Sequence, residues 1–190
     1  MEYPIVLDIE TQNTFRDVGA YDPTLLSVSL VGIYDYRTDK YESFLEDELE
    51  KLWARLERAS FIIGFNSTHF DIPVLNRYYT GDLGKLPSFD ILIPIKEALG
   101  RGVRLEELAQ GTLKYGKTGS GLDAVTFFRD KNFEALRDYC LSDVKITKEI
   151  YEYGKEHGLL KYTIPGGVRE VKVDFRPAMY AAKINFTLPF

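Results

Sequence analysis

The feature that most constrains this chain is an apolar run near its start, Tyr3–Ile9, that carries one carboxylate, Asp8, and is followed at once by a second, Glu10. Run length and composition predict a buried β-strand over residues 3–9. Residues two apart in a strand point to one face, so both acids project together from an otherwise hydrophobic element. Like charges at that range repel by about 1–4 kcal/mol in wet surroundings and by more when dry. A cation is therefore expected between them, and hard divalent ions such as Mg²⁺ or Mn²⁺ favour oxygen ligands. The alternative is that one acid caps a strand end at the surface, and an Asp-x-Glu spacing arises about once by chance in such a chain.

Further apolar runs at 25–34 and 41–44 read as two more strands, joined by the polar turn at Arg37–Lys40. Leu49, Leu52, Trp53 and Leu56 have helical spacing within 46–59, which places Trp53 in the core. Residues 60–65 form another buried strand, 71–79 a helix ending before Gly81, and 89–93 an apolar segment that enters a helix stopping near Gly100. A short helix over 104–110 leads into a glycine-rich loop, 111–121, and 131–157 is the longest helix. Three strands followed by a helix–strand–helix alternation predict an α/β domain with a mixed sheet: the early strands antiparallel, the strand at 60–65 parallel after its crossover. Alternation at Val171, Val173 and Phe175, and again around 180–187, predicts a C-terminal β-hairpin extension. The division expected is residues 1–158 as the domain and 159–190 as an extension packed on it.

The 190 residues include a single cysteine, Cys140, so no disulfide framework and no cysteine-rich metal site is available. A chain of this size buries roughly 70% of its unfolded surface and needs neither. There is no 18-residue apolar run and no basic segment at the start, so a cytoplasmic protein with no membrane partner is expected. The net charge is −5, which argues against sequence-independent coating of nucleic acid. Charge is uneven: residues 159–190 hold five basic and two acidic residues, net +3, whereas residues 1–158 hold 19 and 27, net −8. The extension is either ordinary scatter or a basic arm suited to a protein partner.

Two further constellations match the first. Asn66-Ser-Thr-His-Phe70-Asp71 follows the strand at 60–65, and the pattern Asn-x3-[Phe/Tyr]-Asp is expected only about 0.05 times by chance. Tyr139 and Asp143 lie four apart in the long helix, on one face. Tyr78 and Asp82 share that spacing, but Gly81 interrupts them. Read singly, Asp71 suits a helix cap and Tyr139 a core tyrosine.

Together and in this order, the three pieces resemble the motifs of the DEDD exonuclease superfamily, which has a ribonuclease H-like fold. Asp138 stands where the histidine branch would need His, so the chain is similar to the tyrosine branch, including the proofreading domain of family B DNA polymerases. The resemblance spans about residues 3–155. It implies a ribonuclease H-like mixed sheet flanked by helices, and a two-metal-ion 3′–5′ exonuclease acting on single-stranded DNA or RNA. Asp8, Glu10 and Asp143 would hold one Mg²⁺ or Mn²⁺, and Asp8 a second ion supported by Asp71. Tyr139 would orient the attacking water. Phe70 is a candidate for stacking on a terminal base, Thr11 for bonding a 3′-hydroxyl, and Asn66 for substrate contact. His69 and Asp90 are read as a solvent-facing residue and a cap or peripheral acid, and Cys140 as a buried thiol.

Gly111-Thr-Leu-Lys-Tyr-Gly116-Lys117-Thr118 fits the phosphate-binding pattern Gly-x4-Gly-Lys-[Ser/Thr]. That loop joins a strand to a helix, whereas the residues before Gly111 read as helical, so nucleotide hydrolysis is disfavoured. Lys114 or Lys117 remains a candidate for touching the substrate backbone. The rivals to the exonuclease are a catalytically weak nucleic-acid-binding module on the same fold and, more remotely, a nucleotide hydrolase.

Overall fold

A computed structural model describes residues 3–116 and 121–175. Its centre is a five-stranded mixed sheet of β1 (Ile5–Thr11), β2 (Val28–Asp35), β3 (Lys40–Leu45), β4 (Ile62–Gly64) and β5 (Ser88–Asp90). The spatial order is β3-β2-β1-β4-β5, antiparallel across β1–β2 and β2–β3 and parallel across β1–β4 and β4–β5. A short turn joins β2 to β3, a longer connection containing α1 joins β1 to β2 where a short turn is expected, and helical crossovers give the parallel half. The helices are α1 (Phe15–Val18), α2 (Glu50–Leu56), α3 (Asp71–Leu75), α4 (Leu92–Leu99), α5 (Leu105–Leu108), α6 (Gly121–Arg129) and α7 (Phe133–His157). Among the described residues no helix is long and apolar enough to cross a membrane.

β1 is central and covered on both faces, which is why its sequence is nearly continuous in apolar residues. Ile5, Leu7 and Ile9 pack with Leu52, Trp53 and Leu56 of α2 and Leu75 of α3. Val6 faces the other layer, with Val144, Ile150 and Tyr151 of α7. Asp8 and Glu10 continue the Val6 face toward α7.

α7 is set by its own signals. The Asn132 side chain accepts from the Ala135 amide at its start, and Gly158 ends it in the left-handed conformation at φ 69°. Its buried residues recur at three- and four-residue spacing (Leu136, Tyr139, Cys140, Asp143, Val144, Thr147, Ile150), so one carboxylate is carried within the stripe that must face the sheet.

A second, two-stranded sheet pairs β6 (Leu159–Ile164) with β7 (Gly167–Lys172). The hairpin therefore lies earlier than the alternation suggests, turning at Gly166–Gly167, while the run around 180–187 lies outside the described residues. Val173 and Phe175 follow β7 as buried coil. Leu160, Tyr162, Val171 and Phe175 join the α7 core layer, so the hairpin shares the core of the domain. Other differences are local. The first long helix is shorter than 46–59, with a single turn of 3-10 helix at Glu46–Glu48 before α2. α3 stops at Leu75, and Tyr78 instead accepts from the Val28 amide at 3.1 Å and donates to Glu46 at 2.9 Å. The 111–121 segment is not simply a loop. Ala109–Leu113 continues α5 as a π-helical turn, and α6 begins at Gly121.

Candidate metal and catalytic site

The first pair of acids is positioned by β1 and by a glycine opposite. Asp8 registers with Gly32 and Glu10 with Leu30 on β2, and the register shifts between Glu10 and Thr11. Such an irregularity bends a strand and re-aims its side chains. Gly32 matters because it has no side chain: a Cβ there would lie 2.8 Å from Cys140 Sγ and 3.0 Å from a Val144 methyl. α7 can therefore lie directly over Asp8. Cys140 Sγ sits 3.6 Å from the Asp8 carbonyl oxygen and 3.9 Å from Asp8 Oδ2. One ligand atom each from Asp8, Glu10 and Cys140 fall within 4.8 Å of one another.

Tyr139 and Asp143 flank Cys140 on α7 and are buried, at 6% and 3% exposure. The Cys140 thiol is held well above its ordinary pKa, first by burial and then by the negative charges of Asp8, Glu10 and Asp143. These three carboxylates thus share one electrostatic neighbourhood although they come from positions 8, 10 and 143. The same effect keeps the thiol protonated and leaves an all-oxygen donor set, the kind that Mg²⁺ and Mn²⁺ prefer.

Asp71 arrives from the other side of β1. β4 ends at Gly64, so the β1 backbone beyond its pairing with Val6–Ile63 is free on that edge. The Asp71 carboxylate accepts from the Ile9 amide, the residue between the two β1 acids. Burial foremost, with the nearby Asp90 adding to it and backbone donors at Asp71 and Ile9 opposing it, pushes the Asp71 carboxyl up to about 7. Asp71 thus bonds the backbone between the two β1 acids, and Asp143 shares the surroundings of Cys140 with them, one turn along α7 from Tyr139.

The loop that delivers Asp71 rests on a residue whose role the sequence did not reveal. Asp90, 4% exposed at the end of β5, accepts from the Asn66 amide at 2.7 Å and the Thr68 amide at 3.0 Å. It also caps α4 through the Leu92 amide at 3.0 Å. The sequence admits a helix cap or a peripheral acid at this position; the clamp on a loop 22–24 residues away has no local signal. Asn66 takes the left-handed conformation, φ 60°, which asparagine tolerates, and its carbonyl accepts from the His69 and Phe70 amides at 3.1 Å each. Its backbone turn is therefore one function of that position.

The other candidates are distributed as follows. Thr11 is buried and its hydroxyl donates to the Asn13 carbonyl at 2.8 Å. Phe70 is half-buried and meets Phe15 edge-on, centroids 6.1 Å apart, and Phe15 lies 4.3 Å from Tyr21, whose side chain is exposed. His69 is exposed and Trp53 is buried in the α2 layer. Lys117 lies outside the described residues.

The phosphate-loop pattern has a different explanation at its first glycine. A Cβ at Gly111 would lie 2.6 Å from the Lys161 carbonyl oxygen and from the Tyr162 backbone. Thr112 exchanges two hydrogen bonds with Lys161, donating at 2.6 Å and accepting at 2.9 Å. Gly111 thus serves close packing of the π-helical turn on β6, and helix α5 precedes it where a phosphate loop needs a strand.

Residues 5–155 match the family model of the RNase H superfamily. Among solved structures, the chain is similar to the family B DNA polymerase of the hyperthermophilic archaeon Pyrobaculum calidifontis, with TM-score 0.61 and 17% identity. The match covers 81% of this chain and 24% of that one, so the chain spans about a quarter of the polymerase. At that identity the likeness is one of fold. No curated protein sequence matches the chain.

Proposed function

The chain belongs to the RNase H superfamily, and from that premise we propose that it is a metal-dependent 3′–5′ exonuclease. It shortens single-stranded DNA or RNA from the 3′ end and releases nucleoside 5′-monophosphates. The observation that carries this reading is the convergence of Asp8, Glu10 and Asp143 on the surroundings of one buried thiol, with Asp71 accepting from the backbone amide between the two β1 acids. Acids buried in this way fit divalent cations and little else.

In this reading Asp8, Glu10 and Asp143 would hold one Mg²⁺ or Mn²⁺, and Asp8 with Asp71 would support a second. Ions bound there supply an activated water and neutralise phosphate charge, which lets a chain of net charge −5 take a polyanion. Tyr139 orients the water through its hydroxyl. A phenol with a pKa of about 10 is a poor base at neutral pH, so positioning suits it better than proton abstraction. Phe70 stacks on the terminal base. The Thr11 oxygen, whose proton is already committed to Asn13, accepts from the terminal 3′-hydroxyl. Asn66 and Lys117 contact the sugar–phosphate backbone.

A 5′-labelled oligonucleotide tests the reading. The expected result is a ladder shortening from the 3′ end that needs Mg²⁺ or Mn²⁺ and is lost in Asp8→Ala and Asp143→Ala. Retained 3′-end binding with no hydrolysis by the wild-type chain would replace the enzyme with a binding module. Internal cleavage would overturn the exonuclease polarity.

A further inference from the structure

A cavity of about 530 Å³ opens at the end of the sheet remote from the acids, between the segment before β1, the β2–β3 turn and the second half of α2. It lies under Ile5, which belongs to the α2 face of β1, whereas Asp8 and Glu10 face α7. It is thus separate from the candidate catalytic site. Five of its lining residues are cationic (Arg37, Lys40, Lys51, Arg55 and Arg58) and two, Asp35 and Glu42, are acidic.

The acids are already engaged. Glu42 pairs with Arg55, and Asp35 is buried and accepts from the Arg37 amide at 2.8 Å. Lys51 is paired too, with Glu48 at 2.8 Å. That leaves Arg37, Lys40 and Arg58 with no carboxylate partner among the described residues. The Arg37 guanidinium lies over the Tyr3 ring, 5.1 Å from its centroid, and donates only to the Arg58 carbonyl at 3.5 Å. The half negative charge of a helix C-terminus lies near both Arg55, already paired with Glu42, and Arg58, and offsets at most part of one such cation. Three uncompensated cations around one concavity, in a chain of net charge −5, need another account.

We propose that this cavity binds an oligophosphate, with a nucleoside triphosphate as the ligand class that fits it. The volume lies in the range of small-ligand sites. Guanidinium forks suit phosphate oxygens, and an ammonium supplies a point charge beside them. The Arg37 guanidinium and the Tyr3 ring beneath it form a stacked pair against which a base can pack. The concavity is walled by strand, turn and helix and open on one side, which suits a discrete ligand with one end in solvent. Nothing here depends on the exonuclease reading.

Isothermal titration in EDTA tests the proposal, since without metal the acid cluster repels an anion. ATP and tripolyphosphate serve as probes, and a single-stranded oligonucleotide as the competitor class. The expected result is saturable binding of one ATP per chain, weakened tenfold or more in Lys40→Ala/Arg58→Ala and unchanged in Lys85→Ala, a cation elsewhere on the surface. Both altered side chains are exposed, and each single variant, with its melting curve, guards against misfolding of the double. Tighter binding of ATP than of tripolyphosphate, lost in Tyr3→Ala, supports the nucleotide class. Equal binding of the two probes overturns that class in favour of inorganic polyphosphate. No saturable binding, binding indifferent to the double variant, or binding of the oligonucleotide alone overturns the site.

Discussion

Gly32→Ala probes how the two halves of the acid cluster are brought together. The new Cβ would stand 2.8 Å from Cys140 Sγ, 3.0 Å from Val144 Cγ2 and 3.3 Å from a Leu141 methyl. Ordinary contact needs about 3.5–4 Å between carbon atoms, so α7 must retreat by roughly 0.5–1 Å. Cys140 is fully buried and cannot swing aside, and Val144 is stiff at χ1. Overpacking of this kind costs about 1–3 kcal/mol, which a denaturation curve reads directly. The functional effect is of the same order and is read separately. A displacement near 1 Å between Asp143 on α7 and Asp8 on β1 lowers turnover by about 100-fold in a fold that is still intact. Gly32→Ala/Cys140→Ala removes the Sγ clash and recovers part of both losses, though Val144 still resists. Wild-type stability with wild-type hydrolysis in Gly32→Ala would refute the claim that this close approach assembles the site.

Three further outcomes follow from the geometry. Because the Asp71 carboxyl lies near 7 in the fold against an ordinary 3.8, the folded state binds the extra proton. Metal-free stability is thus greatest below about pH 4 as far as this group is concerned, and falls on the order of 4 kcal/mol as pH rises through 7; Asp71→Asn flattens that dependence in urea melts at stepped pH. Asp90→Ala leaves the Asn66, Thr68 and Leu92 amides without their acceptor, at about 1–3 kcal/mol for each amide that stays dry, and lowers hydrolysis although Asp8 and Asp143 are untouched. Phe70→Ala weakens 3′-end affinity by about 1–3 kcal/mol, the range for one stacked base, as read by fluorescence anisotropy in Ca²⁺.

What the sequence discloses here is whatever is short-range and periodic. Period-two spacing puts Asp8 and Glu10 on one face, and the 3.6-residue stripe of α7 carries Tyr139, Cys140 and Asp143 toward the sheet. Both can be read from a single element. α6 escapes because the glycines at 116, 119 and 121 punctuate the segment as loop, although Ala124 and Val125 are buried. The hairpin is legible as a hairpin but not in register, because Val173 and Phe175 continue the alternation of β7 while serving as coil that packs on Gly154 of α7. Asp90 could not be assigned its clamp, nor Gly32 its close approach. Each depends on a partner outside its own element, Asn66 for one and Cys140 for the other. The phosphate-loop match shows the reverse hazard: Gly111 satisfies the pattern for a reason of packing against β6.

The most direct test of the central claim is anomalous diffraction from crystals soaked in Mn²⁺. The account predicts a Mn²⁺ peak ligated by Asp8, Glu10 and Asp143, with Asp71 touching a second ion or its water. Saturated crystals with no peak among these carboxylates, or with Mn²⁺ bound only elsewhere, would contradict it.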